Sequence, residues 1–343
     1  MEKKLRVGLQ VAVAGAGTRT GPTKITVREA ITKLIIVLTG IYNVPVGGAT
    51  IKEDSILRLL KKIDITLGGT PRKSIGGNSQ YDAAGRILRR LDQFFYGVTL
   101  AYTAPSAAEG ANAFMAVVEI PFILSAHAFP GMAPEDREVS AYLPGLTGED
   151  LELYIDWGVA TDVSDTAGCA LTSAQCEILV ASDTDLTQRA LDAVSRGERP
   201  FSVFLDEATQ SIQLTAAASA AEAADLNRLG YEPFALLSCI DNGCVSDDVL
   251  NRISFKANVG DVLLDGSWEF YRSMLARRQG TQANPDAGWA LADYDGAQDM
   301  SGALPLADPA YIGSWQALVD HDALDTDPAS RMIVHHMAMR SLV

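Results

Sequence analysis

Residues Leu60–Arg90 read LKKIDITLGGTPRKSIGGNSQYDAAGRILRR, and residues Leu250–Arg278 read LNRISFKANVGDVLLDGSWEFYRSMLARR. Both stretches begin with an alternating strand pattern flanked by Lys or Arg, pass a glycine turn and end in a helical segment that closes on two arginines. The pairs that share one constant offset are Ile63 and Ile253, Gly76 and Gly266, and Tyr81 and Tyr271. A repeat of this spacing indicates two copies of one domain, because solenoid repeats are only about 20–50 residues long.

The first copy contains a strand and a helix that are recognisable from their periods. Ile63, Ile65 and Leu67 alternate with polar residues, which is the pattern of a strand with one buried face. Residues 79–95 carry an apolar stripe at helical spacing, which predicts an amphipathic helix. The basic face of this helix consists of Arg86, Arg89 and Arg90, and the second copy ends similarly at Arg277 and Arg278.

The rest of the chain is typical of short strands. Runs at 114–124, 151–159 and 174–181 are separated by loops rich in Pro, Gly and acidic residues, as in a β-sandwich. An alanine-rich tract at 215–229 that stops at Gly230 predicts a surface helix with a glycine C-cap. The sequence thus predicts an all-β fold with a few short helices. The predicted domains are an N-terminal arm at 1–22, a first sandwich at 23–197 and a second at 198–343.

Composition limits the class of protein. Hydrophobic residues make up 48% of the 343 residues and charged residues 21%, as in folded globular proteins. No apolar run approaches the roughly 20 residues that a membrane-spanning helix needs. The net charge of −15 argues against general nucleic-acid binding, although residues 1–100 carry 16 Lys and Arg against 7 Asp and Glu. This basic segment fits contact with phosphate, an anionic membrane or an acidic neighbour, or else lysines solvated at strand edges.

Residue types that commonly carry chemistry form no catalytic motif. The four cysteines contain no C-x-x-C pair, so they are either local disulfides or buried thiols. The spacing Gly15-x-Gly17-x-x-x-Gly21 is looser than a dinucleotide fingerprint, and Pro22 follows where the helix of that motif should begin. The cysteines are Cys169, Cys176, Cys239 and Cys244.

An acidic loop in the second half offers a candidate metal site. Calcium takes several oxygen ligands from carboxylates and carbonyls. Asp293, Asp295 and Asp299 are therefore candidate calcium ligands. The loop lacks the twelve-residue calcium motif with its closing Glu, so a solvated acidic loop is the alternative interpretation.

Two β-rich halves with the same order of strand, glycine turn and helix resemble the double jelly-roll major capsid proteins of tailless icosahedral viruses with an internal membrane, bacteriophages among them. The resemblance rests on Leu60–Arg90 and Leu250–Arg278, with the strand-rich tracts 101–181 and 281–343 after them. It implies two eight-stranded jelly rolls side by side, no enzymatic activity and no cofactor. Homotrimers of hexagonal outline would assemble in the host cytoplasm into the virion shell. The helix predicted at 215–229 has no counterpart in the first half, so the predicted elements of the two halves do not match one for one.

The resemblance also implies partners. These are neighbouring copies of the chain, other virion proteins such as penton or minor membrane proteins, and the viral membrane surface, without sequence-specific binding of nucleic acid. Lys3, Lys4 and Arg6 would belong to an inward arm that meets lipid headgroups. Ion pairs between subunits are assigned to Arg86, Arg89, Arg90, Arg277 and Arg278.

A β-sandwich module that binds or hydrolyses carbohydrate is the alternative function. Such a module works with paired carboxylates beside an aromatic surface on which a sugar ring can stack. The candidate residues for this function are Glu152, Asp156 and Trp157.

Overall fold

The computed structural model describes residues 2–12, 17–77, 79–97, 99–138, 150–198, 203–214, 222–227, 229–241, 244–258, 260–280, 286–305, 313–322 and 330–341. The chain divides into two compact units. The first unit consists of Met1–His127, Pro134–Phe204 and Leu342–Val343, and the second of Ala128–Ala133 and Leu205–Ser341. The longer segment of the second unit begins at Leu205, whereas the sequence predicted a boundary at 198.

The first unit is built mainly from antiparallel strands. The strands are β1 (Glu2–Ala12), β2 (Arg19–Ile25), β3 (Ala30–Val44), β4 (Leu60–Leu67), β5 (Thr70–Gly76), β6 (Tyr102–Thr103), β7 (Gly110–Pro121), β8 (Leu151–Trp157) and β9 (Ala170–Asp183). The helices are α1 (Ala84–Tyr96), α2 (Pro134–Arg137), α3 (Ala160–Val163) and α4 (Thr184–Ser195), with a 3-10 helix at Ser55–Leu59.

The strands of the first unit form two sheets with the strand orders of a jelly roll. One sheet has the order β1-β9-β3-β7-β6, and the other contains β5-β4-β8-β2. Without the two-residue strand β6, eight strands remain, which we label B to I in chain order. The sheets then have the orders B-I-D-G and C-H-E-F. This arrangement of eight antiparallel strands in two sheets is a jelly roll.

The second unit repeats the same topology. Its strands are β10 (Val203–Gln213), β11 (Glu222–Asp225), β12 (Tyr231–Asp241), β13 (Cys244–Val245), β14 (Leu250–Ala257), β15 (Asp261–Ser267), β16 (Trp289–Asp293), β17 (Leu304–Pro305), β18 (Trp315–His321) and β19 (Arg331–Ser341), and its helix is α5 (Trp268–Gln279). The sheets have the orders β10-β19-β12-β16 and β11-β18-β14-β15, and the short strands β13 and β17 also pair with β12. Labelled B to I without those two short strands, they are again B-I-D-G and C-H-E-F.

The sequence repeat corresponds to the same three elements in each jelly roll. Strands β4 and β5 followed by α1 occupy the positions E and F and the helix before G, and β14, β15 and α5 do so in the second unit. The prediction of two similar jelly rolls is therefore confirmed. The tyrosines of the repeat differ: Tyr81 precedes α1, whereas Tyr271 lies within α5 and donates a hydrogen bond from its hydroxyl to the Ile253 carbonyl at 2.8 Å.

Alternating apolar residues explain why these segments form half-buried strands. Leu151, Leu153 and Ile155 of β8 are buried, while the residues between them are partly exposed. In the second unit, the ring of Phe255 stacks on Trp315 with ring centroids 5.7 Å apart, between the two sheets. Burying one large apolar side chain contributes roughly 1.5–3 kcal/mol. The inner faces of the two sheets thus hold each unit together.

Two expectations from the sequence differ from the structure. Glu2–Ala12, expected in an N-terminal arm, forms strand β1 and pairs with β9, so that Glu2 lies opposite Asp183. In the tract predicted as a helix at 215–229, Glu222–Asp225 form strand β11 against β18. Residues 215–221 and 228 lie outside the described residues. Alanine is the best intrinsic helix former, but intrinsic propensity is a weak preference, and pairing within the sheet outweighs it here.

Within the described part of the chain, no helix is long and apolar enough to cross a membrane.

Substitution of Gly76 by alanine tests the strand-to-helix turn of the first unit. The φ of Gly76 is +77°, and a Cβ there would lie 2.2 Å from the Lys61 carbonyl oxygen and 2.4 Å from the Ala84 nitrogen. We expect Gly76→Ala to lower the free energy of unfolding by about 3 kcal/mol or more, because backbone atoms must move. Gly69 also has a positive φ, +80°, but has nothing within 4 Å of a Cβ.

Gly69→Ala is therefore the matched control and should cost only about 1–2 kcal/mol, the strain of the left-handed backbone. Urea unfolding of both variants measures the difference. Equal losses for the two variants would contradict the close approach at Gly76.

Candidate functional site

Two of the three arginines of α1 are buried in the first unit. Arg86 is buried, its Nε lies 3.3 Å from Asp54 Oδ2, and its Nη1 donates to the Tyr81 carbonyl at 2.7 Å. Arg90 is also buried, with Nη2 at 3.7 Å from the same carboxylate. Burial lowers the pKa of Arg86, and the Asp54 charge counteracts part of that shift. Both side chains therefore join α1 to the segment before β4.

Arg89 is the more exposed arginine of this helix. Its guanidinium lies over the ring of Tyr102, 4.3 Å from the ring centroid. This is the geometry of a cation–π contact. Of the three arginines on α1, Arg89 keeps the most access to solvent.

Arg278 in α5 joins its helix to strand β16. Its Nε and Nη2 donate to the two carboxylate oxygens of Asp293 at 2.7 and 2.6 Å. The same guanidinium donates to the Asp295 carbonyl at 2.7 Å and to the Ala128 carbonyl at 3.0 Å. A planar guanidinium suits such a bidentate contact. Its neighbour Arg277 is exposed.

The three aspartates predicted as calcium ligands have other roles in the structure. The carboxylate of Asp293 forms an ion pair with Arg278. The buried Asp295 accepts hydrogen bonds from the backbone amides of Met300 and Gly302 at 2.7 and 3.1 Å. The carboxylate of Asp299 accepts from the Ser301 amide at 2.9 Å. Among the described residues, no group of three or more His, Cys, Asp or Glu is placed to hold a metal ion. The loop is thus stabilised by its own hydrogen bonds.

The basic N-terminus lies in a strand. Lys3, Lys4 and Arg6 belong to β1, where their register partners are Ser182, Ala181 and Leu179 of β9. The structure describes the backbone of this strand and not its side chains. The predicted contact of these residues with a membrane stays a prediction.

The alternative carbohydrate site is not formed. Trp157 is buried and donates its Nε1–H to Thr20 Oγ1 at 2.8 Å, so its ring offers no face on which a sugar could stack. Asp156 accepts from Arg19, and Glu152 accepts from the Tyr154 hydroxyl at 3.0 Å. These carboxylates belong to polar contacts on the outer face of β8.

A buried acidic pair in the first unit was not found from the sequence. Asp92 of α1 accepts a hydrogen bond from the Glu119 backbone amide at 3.3 Å. The side chain of Glu119 in turn accepts a hydrogen bond from Lys33 Nζ at 2.8 Å. Burial, assisted by the Glu119 charge, raises the pKa of Asp92 to about 8. These residues lie on three different elements, so their spacing in sequence carries no signal.

Adjacent histidines of β19 form two separate buried pairs. His335 Nε2 lies 3.3 Å from Glu207 Oε2, and His335 Nδ1 lies 2.9 Å from Thr209 Oγ1. His336 Nδ1 lies 2.9 Å from Glu232 Oε1, and burial raises the pKa of Glu232. Successive strand residues point to opposite faces, which explains the two different partners. The histidines were visible in the sequence, but their glutamates lie more than one hundred residues away.

All four cysteines are free thiols in the structure. Cys176 and Cys239 are buried, and burial raises the pKa of each thiol to about 12. Cys244 is exposed and Cys169 is half-buried. Of the two interpretations left open by the sequence, buried thiols thus describe Cys176 and Cys239.

The second unit has an open sheet edge that carries exposed apolar residues. Strand β15 is the last strand of its sheet, and Val262 and Leu263 on it are 52% and 40% exposed. Phe270, at the start of α5, is 40% exposed, and its ring lies against Gly266 of β15. We call these residues, together with the β15 backbone, the β15 edge. Exposed apolar groups along an edge strand are typical of interaction surfaces.

Comparison with known proteins defines the fold class. Neither a protein-family model nor a curated protein matches the sequence. Solved structures match over the whole chain. The major capsid protein of Sulfolobus Turreted Icosahedral Virus (STIV) has a TM-score of 0.73 at 16% identity, with 100% of this chain and 97% of that chain covered.

Two further solved structures have the same architecture. The PBCV-1 virus capsid gives a TM-score of 0.62 at 12% identity and covers 99% of this chain and 93% of that chain. The major capsid protein P2 from bacteriophage PM2 gives 0.59 at 14% identity, with 100% and 99% covered. This chain therefore has the double jelly-roll fold, in agreement with the B-to-I strand orders of its two units.

Arg278→Ala tests the buried ion pair at the helix before strand G. Removing the guanidinium leaves the Asp293 carboxylate buried without its partner, and we expect a loss of about 3–5 kcal/mol in the free energy of unfolding. Arg277→Ala, on the exposed neighbour, should change it by less than about 0.5 kcal/mol. Urea unfolding compares the two. A loss at Arg277 as large as that at Arg278 would contradict the assigned roles.

Asp92→Asn tests the buried acid of the first unit. Because the folded state raises the pKa of Asp92 to about 8 from its ordinary 3.8, the folded protein holds this proton more tightly than the unfolded chain. The stabilisation is fully present below about pH 4 and is lost as the pH rises toward about 8. Between about pH 5 and pH 9, the wild type should therefore lose on the order of 2–5 kcal/mol more stability than Asp92→Asn.

The exposed Asp136 in α2 supplies the control, since Asp136→Asn should keep the wild-type pH dependence. Urea unfolding at the two pH values measures each variant. An unchanged pH dependence in Asp92→Asn would show that this carboxyl is not the titrating group.

Proposed function

We propose that this chain is a major capsid protein that assembles as homotrimers into the shell of an icosahedral virion. The observation that carries the proposal is the duplication: two jelly rolls with the same B-to-I order in one chain. STIV and PM2 major capsid proteins match that architecture over the whole length. Two similar flat-sided units in one chain suit repeated lateral contacts.

Symmetry explains why two units in one chain suit a shell. Three copies of the chain bring six jelly rolls around one axis, so a trimer has a nearly hexagonal outline. Closed cyclic symmetry is the common form of soluble homo-oligomers. Hexagonal blocks tile a surface, and that is the geometric requirement of a shell built from one main protein.

The ionisable groups of the chain support a structural role. Arg278 with Asp293, and Arg86 with Asp54, hold the helix before strand G in each unit. A buried ion pair favours one arrangement over others, because a misplaced charge would stay unpaired. Such pairs favour rigid building blocks.

Surface charges supply candidate contacts with partners. The exposed Arg277 and the half-exposed Arg89 are the helix arginines that remain for ion pairs with acidic loops of neighbouring copies. Lys3, Lys4 and Arg6 are the residues for an anionic partner, either a membrane surface beneath the shell or an acidic neighbouring copy. Penton or minor membrane proteins would occupy positions that the trimers leave open.

The oligomeric state of the purified chain tests this function. We expect light scattering after size exclusion to give three times the chain mass of 36.6 kDa, and negative-stain microscopy to show particles of hexagonal outline or closed shells. A chain that stays monomeric or dimeric at every accessible concentration would contradict the proposal. A glycan array supplies a check on the alternative function, because a carbohydrate module would bind there as a monomer.

A further inference from the structure

The same pair of elements has different surroundings in the two units. In the first unit, most of α1 is buried. In the second unit, most residues of β15 are exposed, and the apolar Val262 and Leu263 face solvent. By strand register, Val262 and Leu263 correspond to Pro71 and Arg72 of β5, so the second unit carries two exposed apolar residues where the first unit has a proline and an arginine. An uncovered apolar edge calls for a partner.

Local geometry makes the β15 edge suited to another strand. Within the described residues, β15 pairs with β14 alone, so one side of its backbone keeps free amide and carbonyl groups. The register shifts at Leu263, and this bulge explains why two consecutive apolar side chains, Val262 and Leu263, are both exposed. Natural edge strands are usually blocked by Pro or Lys. Asp261–Ser267 contains neither.

Charge selects the strand that fits this edge. Three carboxylates lie at this edge, those of Asp261, Asp265 and Glu269. Asp265 is paired with Arg252 and Glu269 with Arg272, so Asp261 is the one of the three that an incoming cation would meet. An incoming strand should therefore carry basic residues, be at least seven residues long and be free of proline. It should also end its own sheet, so that its outer backbone groups are available for pairing.

Strand β1 meets these conditions. It is eleven residues long, carries Lys3, Lys4 and Arg6, and pairs with β9 alone in the described part of the chain. Strand β2 is also basic, but Pro22 interrupts its amide groups, and its Lys24 is already paired with Asp150. Strand β11 has only four residues and two of them are acidic. Of these edge strands, β1 is the complementary one.

We propose that β15 of one copy pairs with β1 of the next copy, so that a sheet continues across the boundary between subunits. Val262, Leu263 and Phe270 become buried there, and the basic strand meets the edge beside Asp261. Each copy offers one β1 and one β15, so the contact is head-to-tail, and three such contacts would form the ring of the proposed trimer. The inference rests on the proposed capsid function and names the surface through which the trimer forms.

A double substitution tests the edge. In Val262→Lys/Leu263→Lys, two positive charges face the basic β1 of the neighbour, and we expect the trimer to dissociate at least about tenfold more readily. The control is Val46→Lys/Tyr231→Lys, because these side chains are 85% and 52% exposed and belong neither to β1 and β15 nor to the strands that pair with them. Sedimentation velocity measures assembly, and circular dichroism confirms that both variants are folded. An edge variant that forms the trimer as readily as the control overturns the inference.

Hydrogen exchange of the unmodified protein gives a second test that needs no variant. About half of the amides in an edge strand point away from the sheet and exchange quickly unless a partner accepts their hydrogen bonds. In the trimer, we expect peptides that contain Glu2–Ala12 and Asp261–Ser267 to show nearly all amides slowed, by about tenfold or more. If half of the amides in either strand stay fast in the trimer, the pairing is wrong even if the edge variant fails to fold.

The two proposals fail in different ways. If the wild type is monomeric at every concentration, the capsid function itself is contradicted. If a trimer forms while β1 and β15 exchange as open edges, the capsid function stands and only this interface is wrong. If the trimer forms, both strands are protected and the edge variant dissociates, the interface is supported.

Discussion

Each unit closes only when its last strand enters a sheet between the first and third strands. In the first unit, β9 lies between β1 and β3, with Ile178 opposite Val7 on one side and Ile36 on the other. In the second unit, β19 lies between β10 and β12. This pairing joins segments that are far apart in the chain, and its closure entropy must be offset by burial of the inner faces. The rest of each jelly roll depends on it.

Buried ions then fix the helix that follows strand F. The ion pairs differ between the two units. Arg86 pairs with Asp54, which precedes its helix in the chain, whereas Arg278 pairs with Asp293, which follows its helix. Desolvation makes such pairs costly, so they contribute more to choosing one arrangement than to raw stability. On the two faces of β19, His335 and His336 likewise lie beside the buried carboxyl groups of Glu207 and Glu232. Rigid, uniquely packed units are what a repeated assembly requires.

The two units share one topology but differ in which of their elements are exposed to solvent. Helix α1 is mostly buried in the first unit, whereas β15 is mostly exposed and carries the apolar Val262 and Leu263 where β5 has Pro71 and Arg72. In the proposed interface, the β15 edge of one copy meets the basic strand β1 of the next. Because the two surfaces differ, the contact is head-to-tail, which is the kind of contact that builds rings of copies.

The sequence by itself determined the elements whose period is strong. Alternation at Ile63, Ile65 and Leu67 predicts β4, and the spacing of the repeat predicts two similar β-rich units, because side-chain period and turn residues are local properties. Only the tertiary structure decided the rest. Glu222–Asp225 became a strand through pairing with β18, and the roles of Arg86, Asp92 and Arg278 depend on partners from other elements. Burial and contacts between residues distant in the sequence set those roles, and the local spacing of residues predicts neither of them.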